Sequence, residues 1–132
     1  MKSRSEATIR PNSIHKYAIT IGKCQKSDHV TKQELMDVIL YLKLQIPDLY
    51  TYDYNYELGS KYNQLHVHFL GSTKNPVRFK DNCRIGNYFI KWDKIKNNQH
   101  EAKIKSYIHK SSKEEQEQNI LINDHFHEYA FI

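Results

Sequence analysis

Gln64-Leu65-His66-Val67-His68-Phe69-Leu70-Gly71 alternates two histidines with bulky apolar residues, and no other stretch of the chain restricts the fold as much. Successive side chains on a strand leave on opposite faces, so Leu65, Val67 and Phe69 share one face while His66 and His68 share the other. The apolar face belongs against a core. The histidines then stand together on the more open face, two imidazoles on rigid backbone, which is half of a metal site.

A His-x-His pair also arises on half-exposed strands with no ligand role, so its neighbours decide. Tyr50-Thr51-Tyr52-Asp53-Tyr54-Asn55-Tyr56-Glu57 alternates as strictly, with tyrosines on one parity and polar residues on the other. It reads as a strand with one aromatic and one polar face, its tyrosines serving core or helix packing. The turn formers of 58–64 make the two strands a hairpin. If Leu58 lies opposite Leu65, Glu57 faces His66 and Asn55 faces His68, with Cβ atoms about 5 Å apart. A carboxylate and two imidazoles at that spacing share one divalent ion. A slip of one residue would turn Glu57 away, and its polar parity argues against the slip.

Thr31-Lys32-Gln33-Glu34 has capping-box form, and Leu35, Ile39, Leu42 and Ile46 follow at helical spacing until Pro47 stops the run. This helix covers the sheet. Ahead of it, Tyr17, Ile19 and Ile21 alternate with Lys16, Ala18, Thr20 and Gly22 in a first strand whose polar parity shares the histidine face. Residues 72–86 read as a loop with a short helical turn, and Asn87–Trp92 as a further strand. From Asn98 to Ser111 the pattern is helical, with Ala102, Ile104 and Ile108 toward the core and His100, Lys103, Tyr107, Lys110 and Glu114 on a neighbouring stripe. Residues 1–12 form a flexible basic arm and 13–132 one domain. The segment 113–119 is polar and exposed, and His125 to Ile132 forms an edge strand or tail in which His125 and His127 have no ligand role. The order β-α-β-β-loop-β-α predicts an α+β fold, an antiparallel sheet of about five strands flanked by helices.

A chain of 132 residues holds one real core. No stretch approaches the roughly 20 apolar residues that span a bilayer, and the N-terminus has no apolar signal-peptide run, so an intracellular protein with no membrane partner is expected. Cys24 and Cys83, without CxxC spacing, read as unpaired structural thiols rather than a zinc framework. The net charge of +5 and the pI near 9.1 favour an anionic partner, because phosphate neutralisation needs surplus Lys and Arg.

His66-Val67-His68 followed by Tyr107-Ile108-His109-Lys110 resembles the HUH endonucleases (His, hydrophobic, His). More closely, it resembles the replication-initiator (Rep) nuclease domains of small circular single-stranded DNA viruses and rolling-circle plasmids. The first strand, Tyr17-Ala18-Ile19-Thr20-Ile21, matches that family's first motif only loosely, since its characteristic asparagines are absent. The resemblance implies a two-layer sheet related to RNA-recognition and ferredoxin-like folds. It also implies Glu57, His66 and His68 as ligands of Mn²⁺ or Mg²⁺, and Tyr107 as a nucleophile assisted by Lys110. A phenol is protonated at neutral pH, so Lys110 and Lys103 would favour the phenolate.

The activity so implied is sequence-specific nicking and joining of single-stranded DNA at a replication origin, through a 5′-phosphotyrosine and a free 3′-hydroxyl. Arg10, Lys16, Thr20, Lys61 and Lys103 are the candidate DNA contacts, and host replication proteins are possible further partners. The site of action would be the nucleus for a eukaryotic virus and the cytoplasm for a prokaryotic virus or plasmid. Two alternatives stay open: a single-tyrosine HUH transposase or relaxase, and a non-catalytic single-strand-binding module.

Overall fold

The computed structural model describes residues 14–25, 30–59 and 64–109. The arm 1–12 with Arg10, the loop lysine Lys61, and everything from Lys110 onward lie outside the described residues, and with them Glu114, the polar stretch 113–119, His125, His127 and the expected edge strand.

Strand β1 (His15–Lys23) leads to helix α1 (Lys32–Gln45), the hairpin strands β2 (Tyr50–Leu58) and β3 (Leu65–Thr73), and a single 3-10 turn (Phe79–Asp81). The two-residue β4 (Arg84–Ile85), β5 (Tyr88–Lys94) and helix α2 (Asn98–His109) complete the order. The strands form one antiparallel sheet in the order β2-β3-β1-β5-β4. The fold is α+β, with β1 at the centre and β3 lying between β1 and β2, so β1-α1-β2 is a split β-α-β unit.

Thr31 caps α1: its Oγ1 accepts from Glu34 N at 3.1 Å, and Glu34 Oε1 accepts from Thr31 N. The other Glu34 oxygen accepts from Lys23 Nζ and from the Tyr88 hydroxyl, which ties the start of the helix to β1 and β5. Leu35, Met36, Ile39 and Leu42 then meet Ile19, Ile21, Val67, Phe69, Ile90 and Trp92 in one buried cluster. These are the inward parities of β1, β3 and β5, so a single set of alternations builds one dry face.

Helix α2 packs on the opposite face, where Ile108, Ile95 and Leu70 form a smaller buried cluster with Ala18, Tyr52 and Ile104 beside it. The sheet therefore carries a helix on each side rather than the two layers that the resemblance implies. Ala102, expected in the core, is exposed; Glu101 is buried in its place, 8% accessible. Its carboxylate accepts from Lys16 Nζ at 3.0 Å and from the Tyr52 hydroxyl at 3.1 Å. Burial pushes the Glu101 carboxyl up, but those two hydrogen bonds together with the charges of Lys16 and Lys105 outweigh it and hold the group below its ordinary value. The opposite holds for Tyr52, whose phenol is pushed up by burial and by the adjacent carboxylate.

The strict alternation of β2 does not survive intact. Its register against β3 shifts between Tyr52 and Asn55, and Asp53 sits there with φ +48°. Left-handed backbone suits Asp better than most residues, and the bulge it makes moves every residue before it to the other face. Tyr54 and Tyr56 consequently pack toward α1, while Tyr52 packs under α2 and stacks on Tyr50. Thr51 turns inward with them and is buried. Cys24 and Cys83 are both unpaired and exposed, so neither fills the structural place expected of it.

Candidate metal centre and tyrosine cleft

The hairpin register falls where the parities place it: Leu58 opposite Leu65, Glu57 opposite His66, Asn55 opposite His68. Across β3, Thr20 pairs with His68, and Lys91 pairs with Thr20. Two cross-strand rows result on the α2 face. One runs Asn55, His68, Thr20, Lys91, and the other holds Glu57 and His66.

In each imidazole Nδ1 is engaged and Nε2 points at Glu57. His66 Nδ1 lies 3.3 Å from the Gln64 carbonyl oxygen and His68 Nδ1 lies 2.9 Å from Thr20 Oγ1. With Nδ1–H donating to these oxygens, each Nε2 carries a lone pair, the arrangement in which histidine ligates metal. Glu57 Oε1 stands 3.3 Å from His66 Nε2 and 3.5 Å from His68 Nε2. The His68 Nε2 atom is buried and makes no hydrogen bond, and the ligand atoms of the three residues all lie within 4.8 Å of one another.

A buried nitrogen without a partner costs stability unless something occupies its lone pair. A divalent cation would do so, and a set of two imidazoles with one carboxylate is of a kind that suits Mn²⁺ and tolerates Mg²⁺. The environment also keeps His68 in the ligating form. Burial, then the neighbouring His66, pull its pKa below the ordinary histidine value, and Lys91 adds to this against the opposing effect of Glu57.

His68 forms part of the wall of a cleft of about 570 Å³ between the sheet and α2, and Tyr107 lines the same cleft. Tyr107 is 68% exposed. The helix that carries it is capped at its start and tied to the sheet further along. Asn97 Oδ1 accepts from His100 N at the start, and His100 Nδ1 accepts from Lys96 N. Near the other end Asn55 Nδ2 donates to the Ile108 carbonyl at 2.9 Å, from the row that holds His68. Glu101, held by Lys16 and Tyr52, fixes the first turn, and Lys105 bridges to Asp53 at 3.3 Å.

Of the residues singled out from sequence, Glu57, His66, His68, Thr20 and Tyr107 converge here. Lys16 is occupied by Glu101, and Lys103 is exposed on α2. Lys91, which lines the cleft, and Asn55, which bonds to α2, hold positions that no motif flags. Alternation against Ile90 and Trp92 already placed Lys91 on the histidine face. The bond from Asn55 to α2 joins positions 53 residues apart, and no local pattern reports such a contact.

The sequence matches no family model, and no curated protein matches it. A solved structure of similar fold is that of the hypothetical protein ORF119 from Sulfolobus islandicus rod-shaped virus 1: TM-score 0.52, 16% identity, 71% of this chain and 79% of that chain covered. At that identity the likeness is one of fold. Among the described residues no helix is long and apolar enough to cross a membrane.

Proposed function

We propose that this chain nicks and rejoins single-stranded DNA, with Glu57, His66 and His68 holding a divalent ion and Tyr107 acting as the nucleophile. The observation that supports this reading is the cleft shared by His68 and Tyr107, because a phenol and one member of a possible three-ligand cluster line the same cavity. A bound Mn²⁺ or Mg²⁺ would polarise the scissile phosphate and offset the negative charge that builds in the transition state.

The rest is the work of the chain itself. Thr20 and the Gln64 carbonyl orient the two imidazoles, and Asn55 and Glu101 hold α2 so that Tyr107 faces the cleft. Lys91, on the cleft wall, is placed to attract a phosphodiester. Tyr107 Oη forms a bond to phosphorus as the bond to the 3′ oxygen breaks; the phenolic proton leaves and the departing oxygen takes one up. The product is a phosphotyrosine at the 5′ end and a free 3′-hydroxyl. Because one ester replaces another, the reverse attack by a 3′-hydroxyl reseals a strand. The resemblance to the Rep nucleases supports a replication origin as the place of action, with Lys110 assisting Tyr107.

The test is incubation with a library of labelled single-stranded oligonucleotides and Mn²⁺, resolved on a denaturing protein gel. A shifted band is expected, absent with chelator and absent in Tyr107→Phe. Binding without any adduct, unchanged by chelator or by Tyr107→Phe, would replace this reading with that of a single-strand-binding module.

A further inference from the structure

The row that carries Glu57 and His66 continues past them. On the far side of His66 it runs through Gly22 to Phe89, which pair across β1 and β5. Phe89 is 37% exposed, in contrast to Ile90 and Trp92, which turn inward. A methyl group at Gly22 would stand 2.7 Å from Phe89 Cε2, 2.8 Å from Cζ and 3.3 Å from His66 Cβ. The outer end of the ring, Cε2 and Cζ, therefore sits over the glycine beside the histidine strand, and the side chain stays partly open to solvent. Glycine weakens a strand interior, and its presence in the central strand marks a close approach that a side chain would block. Two residues along the same face of β5 is Lys91, and Lys94 and Lys96 join it on the cleft wall.

We infer that Phe89, seated over Gly22, is a stacking platform for one nucleobase of a single-stranded DNA, next to the phosphate placed at Glu57, His66 and His68. The inference rests on the reading of the site as a single-strand nuclease. A ring that takes the base and cations that take the backbone are the two components by which single strands are held without sequence readout. Every base has a flat π face, so Phe89 supplies grip and register and leaves the choice of base to other contacts. The competing role for this ring is to cover the glycine and stabilise the sheet. A leucine would keep that apolar cover and lose the stacking.

The experiment measures binding of labelled oligothymidylate, and of a strand of the same length made of abasic sugars, to the full chain without added metal. Loss of one stacked base costs affinity by about tenfold. Phe89→Leu is therefore expected to weaken oligothymidylate binding by about tenfold and to leave abasic-strand binding unchanged, with Gly22→Ala, which displaces the ring, behaving alike. Should Phe89→Leu fold poorly, Phe89→Trp gives a second readout: its added fluorescence is quenched by oligothymidylate and not by the abasic strand. Wild-type affinity for oligothymidylate in Phe89→Leu, equal losses on both strands, or no quenching in Phe89→Trp would overturn the platform and leave the nuclease reading standing. No binding of any single strand by the wild-type chain would overturn both.

Discussion

The two faces of the sheet are built from the same strands and are opposite in kind. Toward α1, Ile21, Val67 and Phe69 are wholly buried in a continuous apolar cluster. Toward α2, the neighbouring residues on those strands are Thr20, Gly22, His66 and His68, and the helix covers only the end of the sheet around Leu70 and Ala18. One face is closed, and the other leaves a cleft of about 570 Å³. Because the side-chain period of a strand is two, stability and chemistry occupy alternate positions of one chain segment. Adjacent substitutions on β3 therefore separate them.

The largest effect should come from Phe69→Ala, a cavity in the closed face that costs about 3–5 kcal/mol. That is a large share of the roughly 5–15 kcal/mol holding a domain together, and thermal melting checks it. His68→Ala, one residue away, should cost the metal-free protein less than Phe69→Ala, since it removes one hydrogen bond, between Nδ1 and Thr20 Oγ1, and a ring that is not wholly enclosed. It should abolish stabilisation by metal. A ligand at one hundred times its Kd adds about 2.7 kcal/mol, so Mn²⁺ is expected to raise the wild-type midpoint and chelator to restore it, with no such response in His68→Ala or Glu57→Ala. An equal response to Mn²⁺ in all three proteins would refute the ligand assignment.

Intermediate effects belong to the contacts that dock α2. Lys16→Met leaves the Glu101 carboxylate without its nearest cation, and at this partly exposed pair the loss should be about 1–2 kcal/mol. Covalent adduct formation should fall while Mn²⁺ binding persists, because the helix holds Tyr107 and not the ligands. Parallel loss of both would mean that the two sides of the cleft form one unit. Within the closed face, Thr31→Ala removes half of the capping box and should cost about 1 kcal/mol, with neither metal response nor adduct formation altered.

How much of this arrangement the sequence discloses follows from the range of the forces involved. The hairpin register, the capped helix and the grouping of Glu57, His66, His68 and Thr20 all rest on periodicity, which neighbouring residues report directly. The bulge in β2 is invisible to that signal. Tyr50, Tyr52, Tyr54 and Tyr56 alternate without a break in sequence, yet the positive φ of Asp53 divides them between two faces. Strand β4 is two residues long and has no period to read. Ala102 suits the inside of a helix by composition, but Glu101 goes in because Lys16 and Tyr52, 85 and 49 residues distant, satisfy its carboxylate. The HUH resemblance supplies the pairing of Tyr107 with the histidines, and the geometry that bears on it is the shared cleft.

The smallest effects should appear with pH, and they too divide the faces. In the metal-free protein His68 resists protonation, through burial first and then through His66, while the unfolded chain takes up that proton at an ordinary pKa of about 6.5. The unfolded state then binds more protons, so stability falls as pH drops below that value toward the folded pKa. Glu101 has the same sign at lower pH, because its folded pKa is depressed. Its contribution is complete above an unfolded pKa of about 4.3 and disappears as acid carries the carboxyl through its folded value. Denaturant titrations of the metal-free chain should therefore show two acid-side losses of stability. His68→Leu should remove only the upper loss and Glu101→Gln should shrink only the lower, which Glu34, likewise held below its ordinary value, shares; the upper loss should persist in Thr31→Ala, whose lost bond lies beside the closed face. A single acid transition unaffected by His68→Leu would place the titrating groups elsewhere and remove the link between the histidine face and the stability of the fold.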